Sequence, residues 1–168
     1  MISNGPAGQQ GAPEAIIDTQ SLLDWQLFRN PVCARWEAAL ACGQWQWVAT
    51  SAMRDELAHV LSRGIPGQWP GSAAQTLAWF DAHARLVPAL PSPAQGLPRC
   101  TDADDQKFID LALLRPVRWL ISRDRAVLKT AKVAARRFQV LVLPPARWAP
   151  WEAAQPAGPS TDIAAPEA

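Results

Sequence analysis

The sequence predicts an α/β fold, with a central parallel sheet of about four to five strands covered on both faces by helices. Two observations predict it. Short apolar runs rich in strand formers recur along the chain, and helical stretches lie between them, the alternation that a parallel sheet requires. A third observation points to the working edge. Carboxylates follow two of the apolar runs, and parallel sheets bind ligands at the carboxyl ends of their strands.

Residues 1–13 are rich in Gly, Pro, Gln and Ala and are expected to be disordered, as is the tail from about Ala153. Ala15 to Ile17 is a short apolar strand. A helix begins near Ser21 and is broken at Asn30-Pro31. Val32 to Cys42 reads as a second helix, stopped by Gly43. Trp45 to Ala49, WQWVA, alternates and is a strand. Thr50-Ser51 then caps a helix running to about Leu61, and RGIPGQWPG is a loop. Ala73 to Ala84 is helical and Arg85 to Val87 a short strand, followed by the irregular connection PALPSPAQGLP. Thr101 to Asp104, TDAD, resembles a capping box with Asp in place of Glu, ahead of a helix from Asp105 to Leu114. Trp119 to Ile121 is a strand, and Asp124 begins a helix to about Arg136. Phe138 to Leu143, FQVLVL, is a buried strand that Pro144-Pro145 ends. No internal repeat is visible.

Composition narrows the chemistry. A chain of 168 residues suggests one domain, which buries roughly two-thirds of its unfolded surface and needs no disulfide staple. A formal net charge of +1 gives no global polyelectrolyte signal, so any nucleic-acid site must come from a local patch. Cys33, Cys42 and Cys100 form no CxxC and read as reduced thiols. With only His59 and His83, a histidine zinc site is improbable. There is neither an apolar h-region near Met1 nor a run of the roughly eighteen apolar residues that span a membrane, so a cytoplasmic protein is expected.

Carboxylates carry the chemical signal. Asp18 directly follows the first strand, and Asp124 follows Trp119–Ile121 with Ser122 between, so parallel strands would bring both to one edge. In SAMRDELAHVL, Glu56 borders the apolar stripe of Met53, Leu57, Val60 and Leu61, whereas Asp55 falls on the polar side. In CTDADDQKFIDLALL, Asp105 starts the stripe of Phe108, Ile109 and Ala112. Asp104 borders it less directly, and Asp102 and Asp110 look solvent-facing. Carboxylates beside a buried stripe are costly unless paired or bound to a cation. Four of them without histidine or a candidate thiol nucleophile favour a hard, oxygen-ligated cation, Mg²⁺ or Mn²⁺. The plainer alternative is that Asp104 and Asp124 are simply helix N-caps.

The segments IIDTQSLLDW, ATSAMRDELAHVL, CTDADDQKFIDLAL and WLISRDRAVLKTA resemble, in order, the blocks of the PIN-domain family, nearest to the toxins of bacterial toxin–antitoxin systems. The resemblance covers roughly residues 14–148, with residues 149–168 as a mostly disordered tail. It implies a three-layer α/β/α sandwich and a Mg²⁺- or Mn²⁺-dependent ribonuclease. It carries the family acids onto Asp18, Glu56, Asp105 and Asp124, with Asp104 adjacent to the third as a further metal ligand. Thr19 and Ser122 fall where the family has supporting hydroxyls. Two departures stand out: Gln20 replaces the usual Asn of D-T-N, and Arg123 replaces the usual Gly between Ser and Asp. With no obvious side-chain general base, a metal-activated water is expected to attack the phosphodiester.

For the substrate, Arg125, Lys129, Lys132 and Arg136 are spaced four, three and four apart, one basic face of the expected helix beginning beside the acids, with Arg123 next to it. That face is as readily a solvated surface as a seat for single-stranded RNA. The nine tryptophans suit core packing, or an apolar patch for a homodimer or an antitoxin, better than base stacking. The rival reading from the same residues is a catalytically weak PIN-like domain acting as an RNA-binding or protein-interaction module. A receiver-like domain would want a Lys after a late strand, where Pro144 stands. A dehalogenase-type phosphatase would need D-x-D, which Gln20 breaks.

Overall fold

The computed structural model describes residues 11–91 and 96–152. Five strands form one parallel sheet: β1 (Glu14–Ile17), β2 (Gln46–Ala49), β3 (Arg85–Leu86), β4 (Trp119–Ile121) and β5 (Leu141–Leu143), in the order β3-β2-β1-β4-β5. Seven α-helices are described: α1 (Thr19–Gln26), α2 (Trp36–Ala41), α3 (Ser51–Ser62), α4 (Ala73–His83), α5 (Gln106–Leu114), α6 (Arg125–Leu128) and α7 (Ala131–Phe138). Nearly every residue of the central strands is buried, as a sheet covered on both faces demands, and the architecture is the expected α/β/α sandwich. Strands are added on one side of β1 up to β3 and on the other side from β4, so the carboxyl ends of the parallel neighbours β1 and β4 open on one crevice at the switch of strand order.

Register brings the acids together. Ile17 lies beside Ile121, and the ladder runs one step past the strands, with Asp18 N–H donating to the Ile121 carbonyl at 3.0 Å and Ser122 N–H to that of Leu143 at 3.0 Å. Asp18 and Ser122 therefore leave the sheet as neighbours.

Three expected elements differ. Val32 to Cys42 is not one helix: Asn30 caps a 3₁₀ turn at Pro31–Cys33, and α2 starts only at Trp36. The helix expected from Asp124 to Arg136 is two. The Thr130 hydroxyl and amide both bond the Val127 carbonyl, at 2.7 and 3.0 Å, which closes a tight turn and ends α6. Nor does a strand begin at Phe138. Phe138 closes α7, Gln139 turns left-handed at φ 60°, and only Leu141–Leu143 pairs with β4. The expected capping box at Thr101–Asp104 is absent: Asp105 precedes α5 without a side-chain cap bond, and Asp102 instead accepts from Asp104 N–H at 2.9 Å. The disorder expected at residues 1–10 and from Ala153, and part of the connection after Val87, lie outside the described residues. Pro13 is described, and its carbonyl accepts from Gln46 N–H at 2.9 Å.

Tryptophan builds much of the core. Trp36, Trp45 and Trp47 are fully buried, and the Trp148 ring meets those of Trp36, Trp45 and Trp119 edge-on at 4.8–5.8 Å between centroids. Trp148 thereby pins the end of β5 to the domain. With its amide oxygen turned toward them, buried Gln26 accepts from the indole N–H groups of Trp25 and Trp79.

Candidate active site

A cavity of about 370 Å³ opens at the carboxyl edge of the sheet. One side is acidic and polar: Asp18, Thr19, Gln20, Glu56, Asp102, Asp105 and Asp124, with Arg123 at the rim. The other is apolar: Leu23, Phe28, Val60 and Ile65.

Asp18 is the most buried of the acids, at 3% exposure, and caps α1. One carboxylate oxygen accepts from Ser21 N–H at 2.7 Å and the other from the Ser122 hydroxyl. Burial raises its pKa above the ordinary value, and the Asp124 charge adds to the rise against those hydrogen bonds. Asp124 caps α6 by accepting from Ala126 N–H at 2.6 Å, so its cap role and its place at the cavity coexist. Glu56 comes from the middle of α3, where the stripe of Met53, Leu57 and Leu61 is buried as expected. Thr19 donates to its Oε1 at 2.7 Å, and the Lys107 ammonium pairs with its Oε2. Asp105 lies just ahead of α5. Its pKa is pushed up to about 6, by burial first and then by the charges of Asp124, Asp102, Asp18 and Glu56.

Ser122 ties two of the acids together. Fully buried, its hydroxyl donates to Asp18 and accepts from Asp124 N–H at 3.0 Å, which fixes where its proton points. Ser122→Ala should cost about 1–3 kcal/mol in thermal or denaturant unfolding, because it orphans a buried carboxylate oxygen and a backbone N–H.

Four elements thus deliver Asp18, Glu56, Asp105 and Asp124 to one cavity. Asp104 does not line it: its side chain is exposed and its carbonyl accepts from Lys107. Asp102, exposed as the pattern expected, lines the cavity instead. In its D-x-D turn the Asp102 side chain accepts from Asp104 N–H at the cavity's edge. Two other braces escaped sequence reasoning. Lys107 neutralises Glu56, and buried Asp24 holds Arg123, with both carboxylate oxygens 2.9–3.0 Å from Nη1. An acid flanked by Leu22, Leu23 and Trp25 was the available sign of Asp24. Burial raises the Asp24 pKa, and the Arg123 charge works against that rise. Gln20 accepts from Arg123 Nε at 3.4 Å, so the two departures from the family pattern touch each other.

Arg125, Lys129, Lys132 and Arg136 are all exposed and form no ion pair among the described residues. They do not form the single helical face expected of them, because the break at Thr130 divides them between α6 and α7, with Lys129 at the end of the former.

The donor set suits a hard cation: oxygen only, from several carboxylates whose charges add to the rise in the pKa of Asp105. Among the described residues, no three acids stand close enough to hold an ion as placed. Both oxygens of Asp18 and both of Glu56 are already engaged, and one of Asp124 is.

The family model of the PIN domain matches residues 14–126, well over half of the chain and a span that includes every acid of the cavity. No curated protein and no solved structure matches.

Proposed function

The chain belongs to the PIN-domain family, and on that footing we propose that it is a metal-dependent ribonuclease hydrolysing phosphodiester bonds of single-stranded RNA, and the toxin of a toxin–antitoxin pair. The observation that carries the reading is the convergence of Asp18, Glu56, Asp105 and Asp124 on one cavity, from four separate elements, where burial first and the neighbouring carboxylates second push Asp105 up to about 6. The nuclease domain is taken as residues 14–148, since Trp148 completes its core.

Asp18, Glu56, Asp105 and Asp124 would hold Mg²⁺ or Mn²⁺, with Asp102 better placed than Asp104 to assist. A bound divalent cation supplies an activated water and offsets charge on the phosphate and leaving oxygen. The chain's own residues prepare the site. Ser122 and the Ser21 amide aim Asp18, and Thr19 aims Glu56. Lys107 holds Glu56 as an internal counter-charge that an arriving cation must displace. Arg123, anchored on Asp24, sets a guanidinium at the rim, where a substrate phosphate would approach. Arg125, Lys129, Lys132 and Arg136 extend positive charge away from that rim, a salt-sensitive path for RNA.

The test is cleavage of an end-labelled single-stranded RNA by the intact chain. Cutting is expected with Mg²⁺ or Mn²⁺ and none with EDTA. Cutting that persists in EDTA would overturn metal dependence. For the toxin role, induced expression should arrest growth, and a small gene beside this one should relieve the arrest. A second reading, an RNA- or protein-binding module of weak activity, is favoured by the Lys107–Glu56 pair and the Arg123–Gln20 contact, which occupy the groups a cation and a substrate would use. Tight RNA binding without cutting under either metal would select it.

A further inference from the structure

Of the nine tryptophans, six are buried and Trp79 and Trp151 partly so, whereas Trp69 is 43% exposed. Its position is defined. The ring lies 4.4 Å from that of Phe28, tilted by 58°. It also packs on the loop beneath it. A Cβ on Gly67, whose φ is +113°, would meet Trp69 Cζ2 at 3.0 Å and Cε2 at 3.1 Å, so the ring occupies space that only glycine leaves free. Gly71 closes the same loop against α1, its amide donating to the Leu27 carbonyl at 3.0 Å, with no room for a side chain. An exposed indole is thus clamped rather than left to rotate.

Its neighbourhood links it to the acids. Trp69, Leu27, Leu61, Ile65 and Gly67 line a second groove of about 190 Å³. Ile65 lines both this groove and the acidic cavity, and Phe28, against which Trp69 packs, belongs to the cavity's apolar side. One continuous surface therefore runs from carboxylates, past Phe28 and Ile65, to a fixed aromatic ring. That order, charged then flat and apolar, matches a nucleotide whose phosphate lies at the acids and whose base leaves them sideways. A helix of a partner protein fits less well. The other large exposed apolar side chains among the described residues, such as Val32, Leu86, Val133 and Leu141, belong to separate elements and do not extend Trp69 into a wide patch.

We propose that Trp69, held by Phe28 and Gly67 beside Ile65, is the stacking platform for a base of single-stranded RNA next to the bond at the acidic cavity. This rests on the ribonuclease reading for its ligand, not for its geometry. Stacking on one aromatic side chain tolerates any base, so the subsite sets affinity and register rather than sequence.

The experiment measures binding of a fluorescein-labelled ten-nucleotide single-stranded RNA by anisotropy, with Mg²⁺ present. An Asp18→Asn background keeps the oligonucleotide whole. Adding Trp69→Ala should weaken binding roughly 5- to 150-fold, the equivalent of one lost base stack. Trp69→Phe should keep most of the affinity, and Gly67→Ala, which displaces the ring without removing it, should fall between. An oligonucleotide made abasic throughout should bind with and without Trp69 equally. Near-ultraviolet circular dichroism checks that each variant is folded, and Trp69→Phe carries the comparison if Trp69→Ala does not fold. Unchanged affinity in Trp69→Ala overturns the subsite, as does an equal loss for the abasic strand. If the wild type cuts RNA while binding ignores Trp69, the subsite alone fails. If binding needs Trp69 but the wild type never cuts, the hydrolytic reading fails and the subsite stands. No binding by any form overturns both.

Discussion

Asp18→Asn is expected to lower RNA cleavage by roughly 10³-fold or more while leaving the metal-free protein at least as stable as the wild type at pH 7.5. The two effects have one cause. Asp18 is buried, and burial and the Asp124 charge both oppose its ionisation. A neutral amide removes that cost. Its oxygen still accepts from Ser21 N–H, and its NH₂ can donate to the Ser122 oxygen, whose own proton then turns elsewhere. The same change deletes a charge from the proposed cation site, where a bound metal contributes several kcal/mol of transition-state stabilisation, and about 4 kcal/mol corresponds to 10³-fold in rate. Initial cleavage rates and thermal melts in EDTA, measured on both proteins, check the pair. A variant that cuts normally would remove Asp18 from the metal site. One that melts well below the wild type would show the residue to be chiefly a helix cap, worth about 1 kcal/mol.

The second large effect is the dependence of metal-free stability on pH, and its reversal by a divalent cation. Asp105 titrates near 6 in the folded chain against an ordinary 3.8, and Asp18 is shifted in the same direction. The folded state therefore binds these protons more tightly than the unfolded one. The contribution of Asp105 to stability is fully present below about pH 4 and is lost as pH rises through about 6. In EDTA the melting temperature should fall between pH 5 and pH 7.5, and Asp105→Asn should flatten the fall. A cation that binds only the folded, deprotonated site adds about 2.7 kcal/mol at roughly 100 times its Kd, equivalent to several degrees. Mg²⁺ or Mn²⁺ should accordingly raise the melting temperature strongly at pH 7.5 and little at pH 5. A profile that is flat in EDTA and insensitive to both metals would mean that the acids do not act as one cluster.

The contrast between Asp105 and Asp104 marks how far the pattern could be read. Glu56 and Asp105 were visible because each borders an apolar helical stripe, and a helix fixes which side chains share a face. Asp18 and Asp124 were visible because a parallel sheet lines up the ends of its strands. Asp105 sits one residue ahead of α5 and still extends its stripe, whereas Asp102 and Asp104 lie in the turn before it, where no periodicity governs. There the structure, not the pattern, put Asp102 rather than Asp104 on the cavity lining. In the same way the basic residues from Arg125 to Arg136 read as one face until Thr130 divided them.

What the sequence by itself determined was the alternation of strand and helix, the edge at which the acids collect, and its carboxylate-rich, histidine-free chemistry, because these depend on local periodicity and residue type. What only the tertiary structure decided were the pairings between residues far apart in the chain: Lys107 on Glu56, Asp24 under Arg123, Ser122 between Asp18 and Asp124, and Trp69 against Phe28. Those contacts join residues from about 40 to 104 positions apart, save Ser122 with Asp124, and a separation of that kind leaves no periodic trace along the chain. They arise only once the sheet has set its register and the helices have closed over it.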